Sequence, residues 1–133
     1  MVYVTDTHPL IYLATDRLDK LGRKARRVFR GVDEGKHVIV VPVTVLEEIL
    51  RLLEKRVLRL SIPFPRWAEE LERSPNFQIQ AYNLEVLLEA VSLSSIRDPA
   101  DRIIVATARH LSYPLISADE AIQEGDWVET VWE

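Results

Sequence analysis

The segment "HVIVVPVTVLEEILRLLEKRVLRL" (37–60) carries the clearest secondary-structure signal of this chain. Its first part, "HVIVV" (37–41), is a nearly continuous apolar run, and such runs are typical of strands buried in a parallel sheet. Val45–Leu60 then predicts an amphipathic helix, because apolar residues stand at 45, 46, 49, 50, 52, 53 and 57. A buried strand followed at once by such a helix indicates an α/β fold.

Strands and helices alternate through the rest of the sequence as well. Strands are predicted at Val2–Thr5, 77–82, 114–117 and 127–132, and helices at Leu21–Gly31, Arg66–Arg73, Leu84–Leu93 and Pro99–Leu111. This alternation predicts a doubly wound α/β domain with right-handed crossovers. No internal repeat, low-complexity tract or linker divides the chain, so we expect one domain over 1–133.

The composition limits the classes of protein to which the chain can belong. Apolar residues make up 47% and charged residues 29% of the 133 residues, a balance typical of a globular domain and not of a disordered chain. No apolar run approaches the roughly 20 residues of a membrane span, and "MVYVTDTHPL" lacks the features of a signal peptide. Zero cysteines exclude disulfides and thiolate metal sites. We therefore expect a cytoplasmic protein with no membrane partner.

Acidic residues stand close to the predicted strand ends. They follow a strand, or open the helix that precedes one, at Asp6, Glu47, Glu48, Asp98, Asp101 and Asp119. Ligands bind at the carboxyl ends of parallel strands, so at least four of these carboxylates are expected to converge on one edge of the sheet. Clustered carboxylates repel unless they share a proton or hold a cation. Oxygen ligands without Cys or an obvious His set favour Mg²⁺ or Mn²⁺ over zinc.

Helix capping offers a structural explanation for some of these acids, since Asp is common in turns and at N-caps. Asp98 followed by Pro99 is typical of an N-cap with proline at the first helical position. Asp101 then falls at the third position, where a carboxylate favours the helix dipole. We expect Asp98 to cap the helix and to lie outside the acidic cluster, which leaves Asp101 free for chemistry.

Glu47 and Glu48 also differ in whether helix structure alone explains their presence. Thr44 and Glu47 match a capping box, and Glu47 has an i,i+4 partner in Arg51. Glu48 has no such structural role. Hydrophobic periodicity alone does not choose between them, because both glutamates border the apolar stripe of the helix.

Four blocks of the sequence together carry a family resemblance. The blocks are "VTDTHPLIYLA", "VPVTVLEEILRLLEKRVL", "IPFPRWAEELERSPNFQI" and "RDPADRIIVATARHLSYPLISADEAI". They resemble, in order and over nearly the whole chain, the PIN domain family and most closely its VapC-like ribonuclease toxins of toxin–antitoxin pairs. The last block is the most specific, because it contains Asp-Pro-x-Asp-Arg and a strand ending in Thr/Ser-x-Asp. One departure is Ile96-Arg97, where many relatives have His-Arg, so a histidine has no role there.

The resemblance implies a three-layer α/β/α domain around a mainly parallel, twisted sheet of about five strands. It also implies metal-dependent hydrolysis of RNA phosphodiester bonds, with Mg²⁺ as cofactor and Mn²⁺ able to substitute. The family's acidic set, catalytic and metal-binding, falls on Asp6, Glu48, Asp101 and Asp119. Candidates for groups that support these acids are Thr7, Ser117 and Arg102.

The resemblance further implies a small cognate antitoxin and a homodimer. The leucine-rich segment "VLEEILRLLEKRVLRL" (45–60) could line a groove for the antitoxin's amphipathic helix or a dimer contact. Ordinary core packing explains its most apolar positions at least as well.

RNA needs cationic neighbours beside an acidic site. The net charge of −4 excludes a globally basic binder but not a local patch. The basic stretch "DKLGRKARRVFR" (19–30) is one candidate, although such charge runs are more often solvated faces. Arg102 could bind phosphate or pair with a neighbouring acid, while His8 and Trp67 could serve in packing.

Other functional classes fit the sequence less well. A haloacid-dehalogenase-like phosphatase needs a second Asp where His8 stands, and a receiver domain needs paired acids that "VTDTH" lacks. The remaining alternative is a catalytically inactive PIN-like scaffold that binds RNA or protein. Its expected signature is the loss of an acid, and all four are present.

Overall fold

A parallel sheet of five strands in the order β3-β2-β1-β4-β5 forms the centre of the computed structural model, which describes residues 1–133. The strands are β1 (Val2–Thr5), β2 (Val38–Pro42), β3 (Phe77–Gln80), β4 (Leu115–Ile116) and β5 (Thr130–Val131). All four strand pairs are parallel. β1 and β2 are buried except at their first residue, as the apolar run at 37–41 indicates. The predicted α/β class and the parallel five-stranded sheet are confirmed.

Seven α-helices connect the strands. They are α1 (Thr7–Ala14), α2 (Arg23–Asp33), α3 (Val43–Glu54), α4 (Phe64–Arg73), α5 (Leu84–Ala90), α6 (Pro99–Leu111) and α7 (Glu120–Glu124). Short 3-10 turns lie at Leu18–Lys20 and Val91–Leu93. Helices α1, α3, α5 and α6 pack as one group, in which α3 contacts α1 and α6, and α6 contacts α5. None of the helices has the length and apolar character needed to cross a bilayer.

The hydrophobic core lies where α6 and α3 meet the sheet. Ile39, Val41 and Leu115 from the strands and Ile104 from α6 are completely buried. Burial of one such side chain contributes about 1.5–3 kcal/mol. The same burial holds the start of α6, and with it Asp101, at a fixed place above the end of the sheet.

Helix α3 differs from its sequence prediction at both ends. It ends at Glu54 and not at Leu60, because Arg56 adopts a left-handed conformation with φ of 60° that a helix cannot continue through. At its start, Val43 follows Pro42 directly and no side chain caps the helix. The predicted Thr44 capping box is therefore wrong, whereas the ion pair between Glu47 and Arg51 is present at 3.3 Å.

Helix α2 begins at Arg23, two residues later than predicted, because Gly22 packs against the backbone after β5. A Cβ atom at Gly22 would lie 2.3 Å from the carbonyl oxygen of Trp132. The Ala25 N–H donates to that same oxygen at 3.1 Å. Glycine is required by this close approach, which fastens the start of α2 to the end of β5. Only Thr130–Val131 of the predicted strand at 127–132 pairs with β4.

The direction in which the chain adds strands reverses between β1 and β4. β2 and β3 lie on one side of β1, and β4 and β5 lie on the other. Thr5 pairs with Ile116 across this boundary, so the next residues, Asp6 and Ser117, emerge side by side at the carboxyl ends of their strands. Crevices at such reversal points are the usual ligand sites of open α/β sheets.

Candidate active site

Asp6 is the most rigidly held acid at this reversal point. Its Oδ2 accepts a hydrogen bond from the Ser117 hydroxyl at 2.7 Å, and its Oδ1 accepts one from the Thr7 N–H at 2.8 Å. Burial raises the pKa of the Asp6 carboxyl, while the two hydrogen bonds act to lower it. Both carboxylate oxygens are thus oriented by the strand ends and by the first residue of α1.

Glu48 reaches the same place from α3. It is half-buried, and the Thr7 hydroxyl donates to its Oε1. Burial raises the pKa of Glu48, the negative charges of Asp6 and Asp98 raise it further, and the Thr7 hydrogen bond opposes the shift. Thr7 therefore orients two acids at once, Asp6 through its N–H and Glu48 through its hydroxyl.

Asp98 caps α6 as predicted. Its Oδ1 accepts from the Asp101 N–H at 3.0 Å, and Pro99 occupies the first helical position. The expectation that Asp98 lies outside the acidic cluster is wrong, however, because its side chain lines the same cavity as the other acids. The cap geometry itself explains this: an N-cap that reaches the third residue lies close to the side chain of that residue.

Asp101 is the acid whose protonation is most strongly affected by its neighbours. Its pKa is raised from 3.8 to about 7. The causes are burial first and then the negative charges of Asp6, Asp98, Asp119 and Glu48. Its backbone N–H is used by the cap, but its carboxyl accepts no hydrogen bond from the protein, so nothing offsets this shift.

Asp119 also has a structural role, which the sequence prediction missed. Its Oδ1 accepts from the Ile122 N–H at 3.1 Å and caps the short helix α7. Its own N–H donates to the Ser117 hydroxyl at 3.1 Å, and that hydroxyl in turn donates to Asp6. The sequence does contain a signal for this N-cap. Asp119 is followed by Glu120, and an acid in the first helical turn is typical after an N-cap.

One cavity of about 350 Å³ collects the predicted acids. Its lining includes Asp6, Glu48, Asp98, Asp101 and Asp119 together with Thr7. The four acids named from the sequence are therefore brought together. As positioned, no three His, Asp or Glu side chains form a group that could hold a metal ion. Carboxylates that repel one another favour such separation, so the acids share a cavity without forming a ready-made coordination sphere.

The cavity also contains two residues that the sequence reasoning did not assign to it. His8 and Tyr12 line it, four residues apart on α1, with ring centroids 6.3 Å apart. His8 is exposed and its charge acts to lower the pKa of both Asp6 and Glu48, so the packing role considered for His8 is not found. Once Thr7 is recognised as the start of a helix, the i,i+4 spacing places both rings on one face.

Arg102 lies outside the acidic cavity. Its Nε and Nη2 donate to the Ala90 carbonyl at 3.0 and 2.8 Å, which fastens α5 to α6. It lines a neighbouring cavity and not the acidic one. Its assignment as a support for the acids is therefore corrected: adjacent helical residues point about 100° apart, so Arg102 turns away from the side that Asp101 faces.

The basic helix α2 does not contribute to the acidic cavity either. Arg26 donates to the carbonyls of Leu18 and Leu21, each at 3.1 Å, which closes the preceding turn. Arg27 and Arg30 are exposed. Trp67 packs beside the core, with its ring 6.0 Å from that of Phe64.

Comparison with known families agrees with this geometry: the model of the PIN domain matches residues 3–128. The chain belongs to the PIN domain family. No curated protein matches its sequence.

Solved structures show the same fold at low sequence identity. This PIN domain is similar to VapBC2 from Rickettsia felis, bound to a DNA fragment from their promoter, with a TM-score of 0.72, 14% identity and 100% of both chains covered. It is similar to a toxin–antitoxin complex from Klebsiella pneumoniae, with a TM-score of 0.66, 19% identity and coverage of 97% and 95%. It is also similar to FitAcB from Neisseria gonorrhoeae, with a TM-score of 0.63, 16% identity and coverage of 98% and 96%.

Proposed function

We propose that this PIN domain is a metal-dependent endoribonuclease and the toxin of a toxin–antitoxin pair. The observation that carries the proposal is the single cavity lined by five carboxylates from distant parts of the chain. A fold that concentrates so much negative charge normally neutralises it with a cation or a shared proton. Burial first, and then the negative charges of the neighbouring acids, raise the pKa of Asp101 to about 7, and a bound cation would offset that repulsion.

The donor set fits Mg²⁺ or Mn²⁺, because every candidate ligand is a hard carboxylate oxygen and the chain has no cysteine. Asp6, Glu48 and Asp101 would hold the ion, and Asp119 would hold a second ion or adjust the first. When bound, such an ion supplies an activated water and stabilises the leaving oxygen of the phosphodiester.

The chain's own residues would orient these ligands. Ser117 and Thr7 fix the two oxygens of Asp6, and the Thr7 hydroxyl holds Glu48 toward the same cavity. Such supporting hydrogen bonds commonly change metal affinity or activity 10–100-fold when they are lost. Asp101 has no such restraint, so its carboxyl is free to turn toward an ion or accept a proton from water.

Cleavage of labelled RNA tests the proposal directly. The purified chain should cut a single-stranded or structured RNA in millimolar Mg²⁺ or Mn²⁺ and should lose this activity in EDTA. A Glu48→Gln preparation made in parallel controls for contaminating nucleases. Equal cleavage in EDTA, or by the control preparation, would contradict a carboxylate–metal mechanism.

A homodimer is proposed on the exposed face of α5. Leu84 and Leu88 lie on the same face of α5, one turn apart, and are 63% and 60% exposed, as is typical of an interaction surface. The leucine-rich helix α3 is a poorer candidate than its sequence suggested, because Leu46 and Ile49 are buried in the core. Sedimentation velocity should show a dimer that Leu88→Glu converts to a monomer.

A cognate antitoxin is proposed from the similar structures, one of which is a toxin–antitoxin complex. The gene next to this one is expected to encode a small antitoxin, and coexpression of that protein should suppress the RNA cleavage. Cleavage that is unchanged by that protein would contradict the toxin assignment while leaving the nuclease intact.

A further inference from the structure

A second cavity of opposite charge lies beside the acidic one. Its volume is about 440 Å³, within the range of about 300–1,000 Å³ that is usual for ligand sites. Three arginines, Arg51, Arg97 and Arg102, and one acid, Glu47, line it together with apolar side chains. We call it the arginine cavity.

Helices α3 and α6 form the wall between the two cavities. On α3, Glu48 lines the acidic cavity while Glu47 and Arg51 line the arginine cavity. On α6, Asp101 and its neighbour Arg102 are divided in the same way. Since consecutive helical residues point about 100° apart, each helix turns an acid toward the acidic cavity and an arginine toward the arginine cavity, where Glu47 accompanies Arg51.

Two of the three arginines are available to a ligand. Arg97 is exposed and takes part in none of the ion pairs of the protein. Arg51 pairs only with Glu47, and both side chains are solvent-exposed, so this pair contributes little and is easily exchanged. Arg102 is held by the Ala90 carbonyl.

The opposite side of the arginine cavity is apolar and aromatic. Tyr82, which is 47% exposed, and Leu87 line it. An exposed aromatic ring beside guanidinium groups suits a nucleotide, because the base stacks on the ring while the phosphate binds the cation. An acidic peptide would use the arginines but would leave the stacking surface without a role.

We infer that the arginine cavity is a nucleotide-binding subsite for single-stranded RNA, with phosphate on Arg97 and Arg51 and a base on Tyr82. This inference rests on the proposed ribonuclease function. Arg97 immediately precedes Asp98, which lines the acidic cavity, so a strand bound here would lie directly beside the proposed site of hydrolysis. Local attraction at this subsite offsets the repulsion of a polyanion by the carboxylates.

Equilibrium binding of RNA in EDTA tests the subsite without cleavage. The probe is a fluorescein-labelled, mixed-sequence single-stranded RNA 12-mer, followed by anisotropy from low to high salt. Arg51→Gln/Arg97→Gln should weaken binding at least about tenfold at low salt, and the slope of log K against log salt should fall in magnitude by about 1.4, because each phosphate contact on a single strand contributes about 0.7. Tyr82→Leu should weaken binding by about fivefold or more without changing that slope.

The matched control is Arg27→Gln/Arg30→Gln on α2, which makes the same charge change at exposed residues that line neither cavity. It should reduce affinity only slightly. Absence of RNA binding by the wild type at low salt, an unchanged slope in Arg51→Gln/Arg97→Gln, or an equal loss in the control would overturn the subsite. Loss of a protein partner by that double variant, with RNA affinity unchanged, would assign the cavity to a protein instead.

These results separate the subsite from the nuclease itself. Binding that depends on the arginines, without cleavage of any RNA in Mg²⁺, would retain the subsite and reject the proposed activity. Mg²⁺-dependent cleavage without any dependence of binding on the arginines would do the reverse.

Discussion

The acidic cavity and the arginine cavity share two helices, yet their side chains are held very differently. Asp6 and Glu48 accept hydrogen bonds from residues at strand ends and helix starts, and Asp98 and Asp119 cap helices. In the arginine cavity, by contrast, Arg97 has no ion-pair partner and Arg51 has only a solvent-exposed one. Each cavity has one exception, because the Asp101 carboxyl accepts no hydrogen bond and Arg102 is held by the Ala90 carbonyl. The difference otherwise matches two tasks: coordination of an ion needs oriented ligands, whereas long-range attraction of a phosphate chain depends mainly on charge.

The largest expected effect concerns hydrolysis itself. Asp101→Asn and Glu48→Gln should each reduce RNA cleavage in saturating Mg²⁺ by at least about a hundredfold, since loss of groups that only support ligands already costs 10–100-fold. Glu54→Gln, the same change on an exposed residue of α3, is the control and should cleave at the wild-type rate. Single-turnover rates at saturating RNA provide the measurement.

The arginine variants test whether the two cavities have separate roles in binding and hydrolysis. Arg51→Gln/Arg97→Gln should raise the RNA concentration needed for half-maximal cleavage and leave the rate at saturating RNA nearly unchanged. If it reduced the saturating rate as much as Asp101→Asn does, the two cavities would not have separate roles.

The next effect is on stability, and it follows from the raised pKa of Asp101. A carboxyl whose folded-state pKa of about 7 exceeds its ordinary value of 3.8 binds its proton more tightly in the folded state. The resulting stabilisation is fully present below about pH 4 and is lost as pH rises through about 7. In EDTA the wild type should therefore become less stable from pH 4 to pH 8. The raised pKa values of Asp6 and Glu48 act in the same direction.

Asp101→Asn should remove much of this pH dependence. At pH 8 in EDTA we expect the variant to be about 1–2 kcal/mol more stable than the wild type, a value reduced because solvent screens this half-exposed carboxyl. That corresponds to a melting temperature about 4–7 °C higher. Millimolar Mg²⁺ should reverse the order, because the intact site binds the ion and gains stability by mass action. Identical melting curves for the two proteins at pH 8 with and without Mg²⁺ would mean that Asp101 does not belong to the cluster.

The smallest effect concerns Asp98, which stands between the two cavities. Asp98→Asn keeps the cap of α6, because Asn caps as well as Asp, whereas Asp98→Ala loses it at a cost of about 1 kcal/mol. In EDTA at pH 8 the Asn variant should melt no lower than the wild type, since a repelling charge is gone, and the Ala variant should melt about 4 °C lower than the Asn variant. Thermal denaturation followed by circular dichroism compares them. Equal melting temperatures for Asn and Ala would show that the cap contributes nothing.

The sequence predicts features that depend on local chemistry. β1 and α6 have the predicted bounds, because a short β-prone run and an Asp-Pro N-cap carry their own signals. The convergence of Asp6 and Asp119 was predictable too, since parallel strands end at one edge of a sheet.

Features that depend on tertiary contacts were not predictable in this way. The late start of α2 depends on the contact of Gly22 with Trp132, which no local pattern contains. The position of Arg102 depends on a carbonyl of α5, and the charge effect of Asp98 on Glu48 depends on how α6 approaches α3. The separation of Glu48 and Asp101 in one cavity from Arg51 and Arg102 in the other is recognised only when α3 and α6 are placed side by side.

The hydrogen bond between Ser117 and Asp6 joins residues that are 111 positions apart in the sequence. A ribosome that adds about 5–20 residues per second needs about 6–22 s to make the intervening chain. During that interval β1 lacks its neighbour β4, and Asp6 lacks the hydroxyl of Ser117. The acidic cavity is incomplete, because Asp119 has not yet been made. A nascent chain of this kind therefore has no assembled site while most of it is being translated, and the messenger and ribosome that produce it encounter a complete cavity only when synthesis of the domain is nearly over.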